Sequence, residues 1–168
     1  IYKLNKTINI IYRNYSSSFN KKEILQLLTF CKKQRRKVYI SNNLKLALRF
    51  NFDGVYIPAF NRILGYKNIP KKKFKIIGSA HNFKEIGIKI KQGCEKIILS
   101  RLFKTEYKHK KSFFGITKFN LLSKHYEHHF IALGGIKTEN LMKLKMLNCE
   151  GVALLSEPKK KPAIIRRL

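Results

Sequence analysis

The stretch Phe130-Ile131-Ala132-Leu133-Gly134-Gly135-Ile136 decides how this chain folds. A short apolar run goes straight into two glycines, and the helix starter Thr138 follows. A buried strand that ends on bare backbone amides ahead of a helix is a place where a phosphate can be held. The same unit recurs outward in both directions: a short apolar strand, a small or polar end, then a Lys-rich amphipathic helix. Strands alternating with helices imply a parallel sheet, and such sheets carry their chemistry at the C-terminal ends of the strands.

Toward the N-terminus, residues 8–13 read as a strand. Asn20 then precedes Glu23 at capping-box spacing, and Ile24, Leu27, Leu28 and Cys31 recur at helical intervals. Residues 38–40 form the next strand, followed by Asn42, Asn43 and a helical run over 44–50. Asp53-Gly54 turns the chain into strand 55–57, which Pro58 stops. A basic loop around 70–73 leads to strand 75–78, and Asn82 with Glu85 again has cap spacing ahead of Phe83, Ile86 and Ile90. Strand 96–99 ends at Ser100. The basic segment 101–112 is the longest loop at the active end, and residues 116–122 suit a helix. After the opening stretch come a helix over 141–147 and a last strand over 151–154. This gives seven strands. The repeat is architectural, without sequence identity between units.

With 168 residues, 44% of them apolar, the chain can bury one core and is expected to form one domain over 1–168. A closed eight-unit barrel needs roughly 200 residues or more. The first residue is Ile1 and a strand begins by Ile8, so an N-terminal piece is expected to be missing. The formal charge is +28, from 37 Lys and Arg against nine carboxylates, with Asp53 the single aspartate. Such a charge attracts polyanions nonspecifically at low salt. The lysines nevertheless spread over nearly every helix and turn as solvated faces do, and three consecutive lysines occur only at 71–73 and 159–161. No zinc spacing, RNA-binding signature or basic zipper accompanies them. Cys31, Cys94 and Cys149 are odd in number and far apart, as buried thiols of a reducing cytosol would be. No apolar run approaches the ~18 residues of a membrane span, so a cytoplasmic protein without membrane contact is expected.

Gly134-Gly135 is the first candidate for chemistry, with a second amide-rich strand end at Leu154-Leu155-Ser156 beside it if the two strands are neighbours. Arg13 sits in an otherwise apolar strand, where an unpaired charge costs several kcal/mol by ordinary estimates unless an anion or carboxylate meets it. Lys108 offers a mobile point charge, or is one more solvated lysine. In Gly78-Ser79-Ala80-His81-Asn82 the Ser79 hydroxyl can meet an anion, while His81 reads either as a ligand or as a structural hydrogen-bonder. His125, His128 and His129 precede a strand, at the end away from the chemistry, and are expected to face solvent. No carboxylate pair or His/Cys set suggests an all-protein metal site.

Arg13, Asp53-Gly54-Val55, Gly78-Ser79-Ala80-His81-Asn82, Leu99-Ser100-Arg101-Leu102-Phe103-Lys104-Thr105, Ala132-Leu133-Gly134-Gly135-Ile136 and Gly151-Val152-Ala153 follow one another in order and spacing. Together they resemble the thiamine phosphate synthase and thiazole tautomerase superfamily. The resemblance spans nearly the whole chain. It implies an α/β fold of the TIM (β/α)8-barrel type, with residues 1–7 as the tail of the first helix and the first strand absent. Synthases of this superfamily join a hydroxymethylpyrimidine diphosphate to a thiazole phosphate and release pyrophosphate, which makes phosphorylated small molecules the expected partners. By the same likeness Arg13 and Lys108 would hold pyrophosphate and Ser79 would touch it. Thr105 and the amides of Gly134, Gly135 and Ser156 would grip the thiazole phosphate. The superfamily's two magnesium-binding aspartates fall on Asn42 and Asn61, which leaves Mg2+ to be held mostly by pyrophosphate and water. Its Gln and Lys flanking the arginine are Ile11 and Tyr15 here, its second phosphate-loop threonine is Tyr107, and the His after the Asp-Gly-Val turn is replaced within Tyr56-Ile57-Pro58. Three other readings stay open: a thiazole tautomerase using His81 or His109 as acid/base, a catalytically silent phosphate-ligand-binding paralogue, and a basic nucleic-acid binder.

Overall fold

A computed structural model describes residues 8–14, 19–66, 69, 74–105 and 112–154, with the backbone alone of Ile164–Arg167. Seven strands stand where apolar runs end in small or polar residues: β1 (Ile10–Tyr12), β2 (Val38–Ser41), β3 (Gly54–Ile57), β4 (Lys75–Ala80), β5 (Lys96–Ser100), β6 (His129–Leu133) and β7 (Gly151–Leu154). Each pairs in parallel with the next in sequence order. The seven curl into a half-barrel of the TIM type. Curling separates the two faces of every strand. Ile11, Tyr39, Tyr56, Ile77, Ile98, Ile131, Leu133 and Ala153 fill the inside, and the alternate set, including Ile40, Val55, Ile76, Ile97 and Phe130, packs outward under the helices. Gly54 makes room for that filling, because a Cβ there would strike the Lys75 carbonyl and lie 2.9 Å from Tyr39 Cδ1.

The helices begin where asparagine side chains satisfy their first amides. Asn20 Oδ1 accepts from the N–H of Lys22 and Glu23 ahead of α1 (Lys21–Lys33), Asn43 caps α2 (Leu44–Arg49), and Asn82 caps α3 (Phe83–Lys91). Glu85 reaches back from α3 to accept from the His81 N–H at 2.7 Å. α4 (Gly115–His125) buries Phe119 and Leu122 against the sheet, each contributing about 1.5–3 kcal/mol.

The seven expected strands are all present, and β8 (Ile164–Arg167) joins them antiparallel to β7. Two other expectations need correction. Residues 141–147 were expected to be an α-helix, but Thr138–Met146 is a 3-10 helix. Its apolar stripe is weak: Leu144 is buried while Leu141, Met142 and Met146 are exposed, so little packing holds it in α geometry. Of the three histidines expected in solvent, His125 and His129 are exposed, but His128 is half-buried with Nε2 2.6 Å from the Cys94 carbonyl. Cys31 and Cys94 are buried as expected, and Cys149 is only partly so. Among the described residues no helix is long and apolar enough to cross a membrane.

Candidate active site

A cavity of about 1130 Å3 opens at the C-terminal ends of the strands. Alternation aims the last inward side chains at it: Tyr56 of β3, Ser79 of β4, Ser100 of β5, Leu133 of β6 and Ala153 of β7 all line it. Arg13 lies one residue past β1, exposed at the rim rather than inside an apolar strand, with its guanidinium 5.7 Å from the centre of the Tyr56 ring. Its charge is therefore solvated, and the desolvation cost expected from the sequence does not arise. Ser79 is buried and accepts a 2.9 Å hydrogen bond from the Tyr56 hydroxyl.

Gly134 and Gly135 form the far wall of the same cavity, with φ of +104° and +67°. A Cβ on Gly134 would lie 3.0 Å from Arg101 Cβ, and one on Gly135 would lie 2.5 Å from the Lys104 carbonyl oxygen. Both glycines are thus required by the approach of the segment after β5, which the Phe103 N–H ties to the Gly134 carbonyl at 3.0 Å. Asn140 secures the other side by donating to the Gly135 carbonyl at 2.8 Å. Thr105 lines the cavity beside the turn. Lys108, His109 and Ser156 lie outside the described residues.

Several lining residues escaped the sequence reading as site candidates. Arg101 follows β5 as Arg13 follows β1, so the same positional logic could have found it. Arg62 comes from the β3–β4 loop and Lys118 from the first turn of α4. Among the described lining residues these four cations face one carboxylate, Glu85. The described lining therefore carries a net positive charge.

His81 Nδ1 lies 2.8 Å from the Ser100 carbonyl and 2.9 Å from Ser100 Oγ. A carbonyl only accepts, so Nδ1 carries the proton and Nε2 is left as the basic nitrogen.

Lys89 shapes the β3–β4 loop from below. It is fully buried on α3, and its ammonium donates to the carbonyls of Pro58 and Asn61 and to Gln92 Oε1 at 2.7–2.9 Å. Gln92 Nε2 in turn donates to the carbonyls of Asn61 and Ile63. Burial holds the Lys89 pKa below the usual lysine range. Gly78 lets the stem pass, since a Cβ there would lie 2.8 Å from Lys89 Cδ.

Asn42 and Asn61, the positions implied for magnesium ligands, meet: Asn61 Nδ2 donates to Asn42 Oδ1 at 2.6 Å and to the Tyr66 hydroxyl at 3.1 Å. Asn61 Oδ1 accepts from the Ile63 N–H at 2.8 Å. These neutral amide oxygens already serve protein donors, so the pair does not fit a hard divalent ion as direct ligands. Among the described residues no three His, Cys, Asp or Glu side chains gather for a metal.

The thiamine monophosphate synthase family model matches residues 6–157. The chain belongs to that family. It is 30% identical over 143 residues to thiamine-phosphate synthase of Prochlorococcus marinus strain AS9601, a match covering 80% of this chain and 39% of the relative. It is 31% identical over 155 residues to the protein of the same name from Prochlorococcus marinus subsp. pastoris, covering 89% and 44%. The chain therefore spans less than half the length of these curated relatives. Among solved structures, thiamine phosphate pyrophosphorylase from Pyrococcus furiosus has a TM-score of 0.60 at 15% identity, covering 83% of this chain and 69% of that one. A structure described as native KDPGal has a TM-score of 0.61 at 13% identity, covering 86% and 70%. At these identities the structural likenesses carry the fold alone.

Proposed function

We propose that this family member acts as a thiamine phosphate synthase, a single barrel domain working in the cytoplasm that joins a hydroxymethylpyrimidine diphosphate to a thiazole phosphate. The observation that carries the reading is the convergence of Arg13, Ser79, Thr105, Gly134 and Gly135 on one cation-rich cavity. In the reaction the bond between the pyrimidine methylene carbon and the diphosphate oxygen breaks, with its electron pair leaving on pyrophosphate. The thiazole nitrogen lone pair then forms the new carbon–nitrogen bond. Arg13, with Lys108 from the loop after β5, stabilises the charge gathering on the departing pyrophosphate, and the Tyr56 hydroxyl orients Ser79 toward it. Thr105 and the backbone amides of Gly134, Gly135 and Ser156 hold the thiazole phosphate, which sets the nitrogen in line with the methylene carbon.

Incubation with both phosphorylated precursors, with and without magnesium, should yield thiamine phosphate. Arg13→Ala should lower turnover by roughly 100-fold, the usual effect of removing one preorganised donor. Wild-type turnover in Arg13→Ala would overturn the pyrophosphate assignment.

One observation favours a second reading, thiazole tautomerase. His81 carries its proton on Nδ1, which leaves Nε2 to move a substrate proton, and the asparagine pair is unsuited to metal. That activity would appear as isomerisation of the thiazole phosphate alone, abolished by His81→Ala, without product from the two precursors together.

A further inference from the structure

Arg101 occupies a place that none of the roles above accounts for. It directly follows β5 and crosses the cavity wall toward the glycine turn, where its Cβ and Cγ would sit 3.0 Å from a Cβ on Gly134. From there Nη1 donates to Thr105 Oγ1 at 2.9 Å and Nη2 to the Ser112 carbonyl at 2.6 Å. The two bonds bridge both ends of the loop after β5 and fix a planar, permanently charged group beside Thr105 and the amides of the turn. Because Thr105 Oγ1 accepts from the guanidinium, its own hydrogen points elsewhere, so the hydroxyl is oriented as a donor.

Resting on the synthase reading, we propose that Arg101 is the charged contact for the monophosphate of the thiazole substrate and determines preference for the phosphorylated over the dephosphorylated thiazole. A hydroxyl and main-chain amides can hold a phosphate, but they are neutral and discriminate weakly against the alcohol. A guanidinium forms charge-assisted bonds that only the phosphorylated substrate can make.

Calorimetric titration with the thiazole phosphate and with the corresponding thiazole alcohol tests this in the wild type, Arg101→Gln and Arg101→Lys. Both substitutions keep Cβ and Cγ, so packing against Gly134 is retained. The wild type should favour the phosphate. Arg101→Gln should lose about tenfold or more of that preference with alcohol binding unchanged, and Arg101→Lys should lose less. If Arg101→Gln keeps the wild-type preference, or weakens phosphate and alcohol equally as a mere loop latch would, the assignment is overturned. If the wild type itself does not favour the phosphate, the synthase reading of this pocket falls, and the role of Arg101 with it.

Discussion

Gly135→Ala and Gly87→Ala are the same chemical change, and the structure gives them opposite signs. Gly135 has φ +67°, and its added methyl would lie 2.5 Å from the Lys104 carbonyl oxygen and 2.6 Å from that of Phe103. Both are backbone atoms, and no side-chain rotation relieves the overlap. Adopting the left-handed conformation costs an alanine about 1–2 kcal/mol. Overpacking adds about 1–3 kcal/mol. The stiffer unfolded chain returns roughly 0.4–1 kcal/mol. The net loss centres on about 3 kcal/mol. Gly87 lies inside α3 with nothing within 4 Å of its absent Cβ, so alanine there should gain about 0.5–1 kcal/mol.

Urea unfolding followed by circular dichroism measures both. The Gly135 variant should also bind thiazole phosphate more weakly than the wild type, because relieving the overlap must move the turn away from the segment after β5. A Gly135→Ala protein as stable as the wild type would refute the close approach of these two strand ends, and with it the geometry of the proposed phosphate site.

Replacing Asn42 and Asn61 together by aspartate would set two carboxylates side by side, given the 2.6 Å bond between the present amides. The double variant should melt lower than wild type without magnesium, recover with millimolar magnesium, and turn over faster as a synthase; a melting point indifferent to the ion would count against this placement. Lys89 has a folded pKa lowered by burial, whereas the unfolded chain keeps the proton to about 10.4. Between those two values the unfolded state binds more protons, so stability should rise with pH in the wild type relative to Lys89→Met, and a pH-independent difference between their urea midpoints would reject it. Asn82→Ala removes the cap on α3 and should cost about 1 kcal/mol in the same assay, with no loss meaning that the Glu85 amide finds another acceptor.

The seven parallel strands were legible because each is a short apolar run closed by Gly, Asn, Ser or Pro, and the helices after Asn20 and Asn82 because capping spacing marks their starts. β8 was not, since Ile164-Ile165-Arg166-Arg167 shows no alternation and its pairing with β7 is a tertiary choice. Lys89 hid for a different reason. In a chain with 37 Lys and Arg a lysine reads as solvated, yet it stands three residues after Ile86 and one before Ile90, on the stripe that faces the core. Arg13 drew attention and Arg101 did not, although both follow a strand directly; the basic loop after Arg101 made one more cation look ordinary.

The asparagine pair and the basic rim belong to one electrostatic design. Two carboxylates at Asn42 and Asn61 would repel an incoming pyrophosphate unless a cation stood between them. Two amides carry no such charge and close on each other, so they neither need a metal nor oppose the anion. Attraction then falls to side chains the protein owns, Arg13, Arg62, Arg101 and Lys118, against the lone Glu85 among the described lining residues. Arg13, Arg62 and Lys118 are exposed, where salt screens them, whereas Arg101 is half-buried in the cavity wall. On the synthase reading, a site arranged in this way would retain recognition of phosphorylated ligands under the substitutions that slow the chemistry, which is why the binding of the thiazole phosphate and the turnover of the diphosphate must be measured as separate quantities.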